Sequence, residues 1–205
     1  DSGCWLYNGV FALQPSSEAE AESALQAKLY ISKDAEFNSG TVGGKTSNNG
    51  TISNGTFQKS VTNSKTISDG IFQGKVANFR TISGGTFEEV VEMNESTEVA
   101  TIEGGTFKKD IELNAYSPTI TDGLFDGKVS AAEDYSDMLM LSISGGLFTN
   151  AAAVSTISPD NLSITGGYFV SEPTMPNGSG ISFTSVSEQD GRTFQVPVNG
   201  DFSEN

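Results

Sequence analysis

A seven-residue template, Ser/Thr-Ile-x-x-Gly-x-Phe, recurs through most of this 205-residue chain. Its copies begin at Thr51, Thr66, Thr81, Thr101, Thr119, Ser142 and Ser163. Such a repeat constrains the fold strongly, because each unit must bury its apolar side chains against its neighbours. The starts are 15, 15, 20, 18, 23 and 21 residues apart. Constant strands at variable spacing indicate loops that project from a coil of fixed shape.

Each unit is predicted to be a short strand, a bend at glycine and the start of a second strand. Glycine suits the bend because it reaches positive φ without a Cβ clash. Strand alternation directs Ile52 inward and Thr51 and Ser53 outward. One unit cannot bury its Ile and Phe alone, whereas stacked units place Ile on Ile and Phe on Phe.

The sequence therefore predicts an all-β chain, a single-stranded parallel β-helix (β-solenoid) of about nine coils. A β-sandwich is the alternative, since it also has short strands and regular turns. It does not require a phenylalanine at one fixed distance from one fixed glycine. The expected structural ladder of the solenoid is Phe57, Phe72, Phe87, Phe107, Phe125, Phe148 and Phe169.

We expect one structural domain with three regions. Residues 1–50 hold degenerate coils and a helix, residues 51–170 hold the regular repeats, and residues 171–205 hold a Pro/Gly loop and a hairpin. Ser17 and Glu20 have capping-box spacing at the start of the expected helix, residues 17–28.

The regions flanking the repeats are expected to close the two ends of the solenoid. The C-terminal hairpin is predicted from residues 181–186 and 192–198, which flank a connection that contains glycine. Near the other end, residues 30–37 are interpreted as a degenerate coil ending in Phe37, and residues 38–50 as turns around a short strand near Thr41-Val42.

Asn63 and Asn78 lie at equivalent positions, two residues after Val61 and Val76. Strand parity directs both amides inward, which predicts a short asparagine ladder inside the coil. The ladder is expected to be brief, because Met93, Leu113 and Ala131 occupy the later equivalent positions.

The net charge of −15, with no histidine, argues against nucleic acid and anionic membrane surfaces as partners. No apolar run approaches the length of a membrane span, so membrane insertion is not expected. Cys4 is the sole cysteine, which rules out an internal disulfide. We interpret Cys4 as a small buried hydrophobe, with a lipid-anchor cysteine as the alternative.

The TISGGTF and SITGGYF units, at Thr81 and Ser163, resemble Ile-x-Gly-Gly-x-Phe repeats in secreted or surface proteins of gut-dwelling bacteria. The coil is similar to the right-handed parallel β-helices of the pectin-lyase-like superfamily. This resemblance covers roughly residues 51–198 and implies an extracellular or bacterial cell-surface location. It implies several activities equally, namely lyases, hydrolases, adhesins and carbohydrate-binding modules.

An enzyme of that superfamily would need catalytic side chains that converge. The chain lacks the histidine and the Arg-x-Lys of polygalacturonase-like members. Its arginines are Arg80 and Arg192. Asp69 and Asp122 share a repeat position but lie three repeats apart, roughly 14 Å by strand spacing, too far for a direct carboxylate pair. We therefore expect no enzymatic activity, with a pectate-lyase-like polysaccharide lyase as an alternative.

Two acidic runs are candidate Ca²⁺ ligands, because Ca²⁺ prefers oxygen donors. They are Glu88, Glu89, Glu92, Glu95 and Glu98, and then Glu133, Asp134 and Asp137. Neither run has an EF-hand or nonapeptide calcium pattern. We favour solvated loops, and no cofactor is expected.

The outward face of the first strand presents two files of hydroxyls, which form the candidate binding face. The paired residues are Thr51/Ser53, Thr66/Ser68, Thr81/Ser83, Thr101/Glu103, Thr119/Thr121, Ser142/Ser144 and Ser163/Thr165. Ice-binding solenoids resemble this pattern, although Glu103 interrupts one file and serine replaces threonine at many positions. The simplest alternative is that Thr and Ser suit exposed strands. The expected function is a non-enzymatic surface module, adhesin or stalk, that binds a glycan or a host protein.

Overall fold

A computed structural model describes residues 10–11, 28–131, 138–150, 158–173, 175, 178–187 and 192–198. Through these residues the chain winds as a parallel β-solenoid of about eight turns, one fewer than the sequence suggested. The regular structure here is β-strand except for a 3-10 turn at Pro159–Asn161. Each regular turn adds one short strand to each of three sheets, which we call sheets A, B and C.

Sheet A carries the phenylalanine of each template copy. Its strands, in spatial order, are β1 (Val10–Phe11), β4 (Thr41–Val42), β7 (Thr56–Phe57), β10 (Ile71–Phe72), β13 (Thr86–Phe87), β16 (Thr106–Phe107), β19 (Leu124–Phe125), β22 (Leu147–Phe148), β24 (Tyr168–Phe169), β26 (Thr193–Val198) and β25 (Ser182–Ser187).

Sheets B and C complete each turn, and all of their described pairings are parallel. Sheet B contains β2 (Lys28–Ile31), β5 (Lys45–Asn48), β8 (Val61–Asn63), β11 (Val76–Asn78), β14 (Val91–Asn94), β17 (Ile111–Asn114) and β20 (Val129–Ala131). Sheet C contains β3 (Glu36–Phe37), β6 (Thr51–Ile52), β9 (Thr66–Ile67), β12 (Thr81–Ile82), β15 (Thr101–Ile102), β18 (Thr119–Ile120), β21 (Leu141–Ile143) and β23 (Leu162–Ile164).

The seven template phenylalanines form one continuous stack inside the coil. Consecutive ring centroids lie 4.5–5.1 Å apart, and the ring planes differ by at most 9°. Each side chain is at most 1% exposed. The predicted ladder is confirmed, because parallel in-register strands place identical residues one strand spacing apart.

A second interior column is polar at one end and apolar at the other. The Nδ2 of Asn48 donates to Oδ1 of Asn63 at 2.7 Å, and Asn63 donates in the same way to Asn78 at 2.7 Å. All three side chains are fully buried. The column continues with Met93 and then Leu113. The predicted ladder of Asn63 and Asn78 is confirmed and begins one turn earlier, at Asn48.

Gly85 shows why the template requires glycine at its bend. Its φ is +102°, as the sequence predicted, and a Cβ there would lie 3.0 Å from the carbonyl oxygen of Gly70. A side chain would therefore add backbone strain and a collision with the preceding turn.

The C-terminal hairpin is confirmed and closes the end of the phenylalanine stack. Strands β25 and β26 pair antiparallel, and β26 pairs with β24 through Gln195 and Phe169. The Phe183 ring stands edge-on against Phe169, with centroids 5.6 Å apart and planes at 84°. The helix expected over residues 17–28 lies outside the described residues except for Lys28, which begins β2.

The register of the first turns differs from the sequence prediction. Phe37 pairs with Ile52 in sheet C, so it occupies the isoleucine position rather than the phenylalanine position. Val42 pairs with Phe57 and occupies the phenylalanine position. The Phe37 ring reaches across to Phe57, 5.3 Å between centroids and tilted by 58°. A large and a small residue have exchanged places, which keeps the interior filled.

Candidate functional site

The predicted hydroxyl face lies along sheet C in continuous register. Thr51, Thr66, Thr81, Thr101, Thr119, Ser142 and Ser163 pair in succession. This first file is half-buried as far as Ser142, because neighbouring turns cover the flanks of each side chain. The second file is more open: Ser53 is half-buried, and Ser68, Ser83, Glu103, Thr121, Ser144 and Thr165 are exposed.

Several of the hydroxyls on this face are directed back toward the protein. The hydroxyls of Ser83 and Thr121 each lie 3.4 Å from a carbonyl oxygen of the preceding turn. Ser53 donates to the Glu36 carboxylate. Glu103 stands exposed within the second file, as the sequence indicated. The face is an ordered strand surface, and its use as a binding face stays a prediction.

The first acidic run does not converge on one point. Lys108 pairs with Glu88 at 3.3 Å, and Arg80 pairs with Glu98. In the part of the chain that the structure describes, no group of three or more His, Cys, Asp or Glu side chains could hold a metal ion. The second run, at Glu133, Asp134 and Asp137, lies outside the described residues.

Lys75 joins two turns across the outer face of sheet B. Its Nζ lies 2.5 Å from a Glu92 carboxylate oxygen and 3.9 Å from one of Glu112. The hydrogen bond to Glu92 is the main reason why the pKa of Lys75 is raised above its ordinary value of 10.5. The negative charges of both glutamates act in the same direction, and partial desolvation opposes them.

The repeated aspartates have a local structural role. The carboxylate of Asp69 accepts from the backbone N–H of Gly70 at 2.7 Å, and Asp122 accepts from Gly123 at 2.8 Å. The side-chain oxygen of Asn54 accepts in the same way from the backbone N–H of Gly55. Each of these side chains therefore supports the glycine bend of its own turn.

An unanticipated groove lies where the chain passes from sheet B to sheet C, which we call the B–C corner. After Asn78 this corner consists of Phe79 and Arg80, whereas one turn later it spans residues 95–100. The longer corner projects beside the shorter one. The resulting corner groove has a volume of about 630 Å³ and is lined by Phe79, Asn94, Glu95, Ser96, Thr97 and Asn114.

The corner groove combines an aromatic side chain with two aligned amides. Asn94 and Asn114 pair in register on adjacent strands. Phe79 follows the inward-facing Asn78, so alternation directs its ring outward. Among the described residues, Phe79 is neither in the hydrophobic core nor among the residues packed against it. A smaller pocket of about 160 Å³, which includes the exposed Tyr116, adjoins the groove.

The projecting corner is fixed by three contacts. The hydroxyl of Ser96 lies 2.9 Å from the carbonyl oxygen of Phe79 and 2.7 Å from that of Glu98. The Glu98 carboxylate pairs with Arg80 of the preceding corner. The wall of the groove is therefore tied to the turn beneath it.

The amide of Asn114 has unused hydrogen-bonding capacity. It is half-buried, and within the described ranges no side-chain hydrogen bond is formed by it. The Nδ2 of Asn94 makes a long contact of 3.3 Å with the Glu92 carbonyl oxygen, which leaves its own Oδ1 available. Partly buried polar groups without partners are favourable positions for a polar ligand.

The repeat spacing contains a signal for the corner groove, although spacing alone indicates only a loop. The long spacing after Thr81 indicates an insertion near residues 92–99, one turn after the short corner that contains Phe79. A change of corner length between stacked turns creates a step, and residues on both sides of the step face the same space.

No family model, curated protein or solved structure matches the chain. The fold itself defines its class, a parallel β-solenoid repeat protein. In the described part of the chain, no helix is long and apolar enough to span a membrane.

Proposed function

We propose that the chain is a non-enzymatic module of a secreted or cell-surface protein, a stiff adhesin or stalk that binds a glycan or a host protein at its side. The observation that carries this proposal is the unbroken phenylalanine stack from Phe57 to Phe169. A single continuous core makes neighbouring turns one body. A rigid body of this kind can hold a binding surface on its side in a constant position relative to the rest of the solenoid.

The side-chain chemistry supports binding over catalysis. Glu88, Glu92 and Glu98 each have a basic partner on a different part of the surface. Asp69 and Asp122 are engaged by the backbone of separate turns. Glycoside-cleaving chemistry usually needs two carboxyl groups that flank one bond, about 5–10 Å apart. The resemblance of the template to surface repeats of gut bacteria supports the proposed location.

A binding assay run beside a lyase assay tests this function. The purified protein is applied to a glycan microarray and to a panel of immobilised extracellular matrix proteins, and it is also incubated with pectin. We expect saturable binding on one of the two panels and no rise in the ultraviolet absorbance of unsaturated product. A time-dependent rise that scales with protein concentration would contradict the proposal and favour the polysaccharide lyase.

One observation favours a second candidate, ice binding through sheet C. Five threonines, from Thr51 to Thr119, stand in register without interruption on one face. Against it, the exposed Glu103 carboxylate is strongly hydrated and these threonines are half-buried. We rank it below the adhesin. Thermal hysteresis and faceted ice crystals in a cooled droplet would reverse the order.

A further inference from the structure

We propose that the corner groove binds a neutral oligosaccharide, with one sugar ring on Phe79 and its hydroxyls on the amides of Asn94 and Asn114. This inference rests on the proposed function as a binding module, and it names the site and the class of ligand. The volume of about 630 Å³ falls in the range typical of small-ligand sites, about 300–1,000 Å³.

The aromatic residue supplies an apolar surface that the hydroxyl face lacks. A pyranose has one face of C–H groups, and an aromatic ring carries partial negative charge on its face. Phe79 is held at the groove by strand β11 and by the Ser96 contact to its carbonyl oxygen. The backbone of Phe79 is therefore held in place, and this half-buried residue lines the groove outside the core.

The amides match the hydroxyl groups of a sugar in number and type. Each asparagine offers two N–H donors and one carbonyl acceptor, and each sugar hydroxyl both donates and accepts. Strand pairing places Asn94 and Asn114 about 4.8 Å apart. The unpartnered Asn114 side chain gains hydrogen bonds from such a ligand without losing any within the described protein.

The surrounding charge selects a neutral sugar over an acidic one. Glu95 lines the groove and is exposed, and Glu98 lies in the same projecting corner. The cation nearest in sequence, Arg80, is already paired with Glu98. With a net charge of −15 on the whole chain, a uronate, sialylated or sulfated ligand would be repelled.

The fixed wall lowers the cost of binding. Ligand sites on mobile loops lose affinity because the loop must be ordered on binding. Here Ser96 and the Arg80–Glu98 pair already hold the wall in place.

The experiment compares the wild-type protein with three variants on one array. The array carries neutral hexose and N-acetylhexosamine oligosaccharides, with polygalacturonate and sialylated glycans as acidic comparisons. Phe79→Ala removes the aromatic ring, and Asn114→Asp replaces a donor with a negative charge at constant size. Ser64→Ala is the matched control, because Ser64 follows the inward Asn63 as Phe79 follows Asn78. Binding of the best neutral glycan is then measured by calorimetry.

We expect wild type and Ser64→Ala to bind neutral glycans, with at least about a tenfold loss of affinity in Phe79→Ala and Asn114→Asp. Circular dichroism checks that both variants fold, and if Phe79→Ala does not, Asn114→Asp decides. Undiminished binding by the folded variants would overturn the groove assignment and leave the adhesin proposal intact. Preference for acidic glycans would overturn the ligand class. No glycan binding by wild type would overturn the inference, and the proposed function would then depend on the protein panel.

Discussion

Two stretches of the solenoid fill the same interior position with opposite chemistry. From Asn48 to Asn78 the position is an amide, and at Met93 and Leu113 it is apolar, although all of these side chains are fully buried. The B–C corner that follows has two residues in the first stretch. In the second it has six residues after strand β14 and four after strand β17.

The hydrogen bonds explain why corner length and side-chain type change together. Asn48 accepts from the N–H of Gly50 in its own corner at 3.0 Å and donates to the carbonyl oxygen of Thr66 at 2.9 Å. Asn63 donates to the carbonyl oxygen of Thr81 at 3.1 Å. A two-residue corner leaves backbone groups close to the interior, where they need a partner. A longer corner carries its backbone outward to water, so an apolar side chain can fill the interior.

The boundary between the two stretches is also where the candidate site lies. Phe79 belongs to the last short corner, and residues 95–100 form the first long one. Within a stack of equal corners the surface is even, whereas a step between unequal corners makes a groove. Function is therefore expected at the place where the repeat is least regular.

The largest expected effect on stability concerns the phenylalanine stack, which runs through both stretches. Phe87 and Phe148 each lie between two stacked rings, Phe87 between the last short corner and the first long one, and Phe148 beyond both. Phe87→Ala and Phe148→Ala should each lower the free energy of unfolding by about 3–5 kcal/mol, through lost burial and a cavity. Urea denaturation measures both. An unchanged midpoint in either variant would mean that the stack does not carry stability in that stretch.

Exchanging the interior residues sharpens the comparison. Asn63→Leu should cost about 2–4 kcal/mol, because Asn78 loses its donor and the Thr81 carbonyl oxygen is left unpaired. Leu113→Asn should also destabilise, since the long corner offers an inward amide no partner. Leu113→Met is the control at the same position and should cost below about 1.5 kcal/mol. Equal stability of Asn63→Leu and wild type would remove the link between corner length and side-chain type.

Thr46 is a buried polar residue in the short-corner stretch whose hydroxyl is unsatisfied within the described residues. It pairs with Val61 at a position that is otherwise apolar, is 2% exposed, and its Oγ1 has no hydrogen-bond partner in the described structure. Thr46→Val should raise the free energy of unfolding by about 1 kcal/mol, because it removes an unsatisfied hydroxyl at nearly constant shape. Thr62→Val, on the outer face of sheet B, should change it by at most about 0.5 kcal/mol. A destabilised Thr46→Val would show that the hydroxyl does have a partner.

The smallest effect comes from the ion pair that bridges the boundary. Because folding raises the pKa of Lys75 above 10.5, its pairing with Glu92 stabilises the protein below that pH and is lost as pH rises through the folded-state pKa. Both side chains are partly exposed, so Lys75→Met should cost less than about 1 kcal/mol near pH 8. Once the pH exceeds the folded-state pKa of Lys75, the difference from wild type should vanish. A difference that grows at high pH would contradict this sign.

The sequence predicted the parts of the fold that obey the template. Thr-Ile and Gly-x-Phe at fixed offsets predicted the strands of sheets C and A and the phenylalanine stack. The positions two residues after Val61 and Val76 predicted the inward Asn63 and Asn78.

In the first turns the predicted strand at Thr41-Val42 is confirmed. Strand β5 and Asn48 were not predicted, because Val42 and Thr46 replace the expected Phe and Val. The prediction that Phe37 lies at the phenylalanine position was wrong, because Val42 occupies that position and Phe37 pairs with Ile52.

The candidate groove could not be derived from any single repeat. It depends on the direction in which residues 95–100 project and on their long-range contacts with Phe79 and Arg80. The hydroxyl face could be predicted from the sequence because its residues recur once per repeat. The groove could not, because it arises where the length of the repeat changes.

Side-chain amide hydrogen exchange, followed by NMR, tests the account most directly. The amide protons of Asn63 are bonded to Asn78 and to the Thr81 carbonyl oxygen, whereas those of Asn114 have no partner in the described structure. The variants above assign both signals. We predict that the Asn63 amide exchanges only through global unfolding and that the Asn114 amide exchanges at the rate of a free asparagine. Exchange of Asn63 as fast as that of Asn114 would contradict the buried column, and with it the distinction between short and long corners.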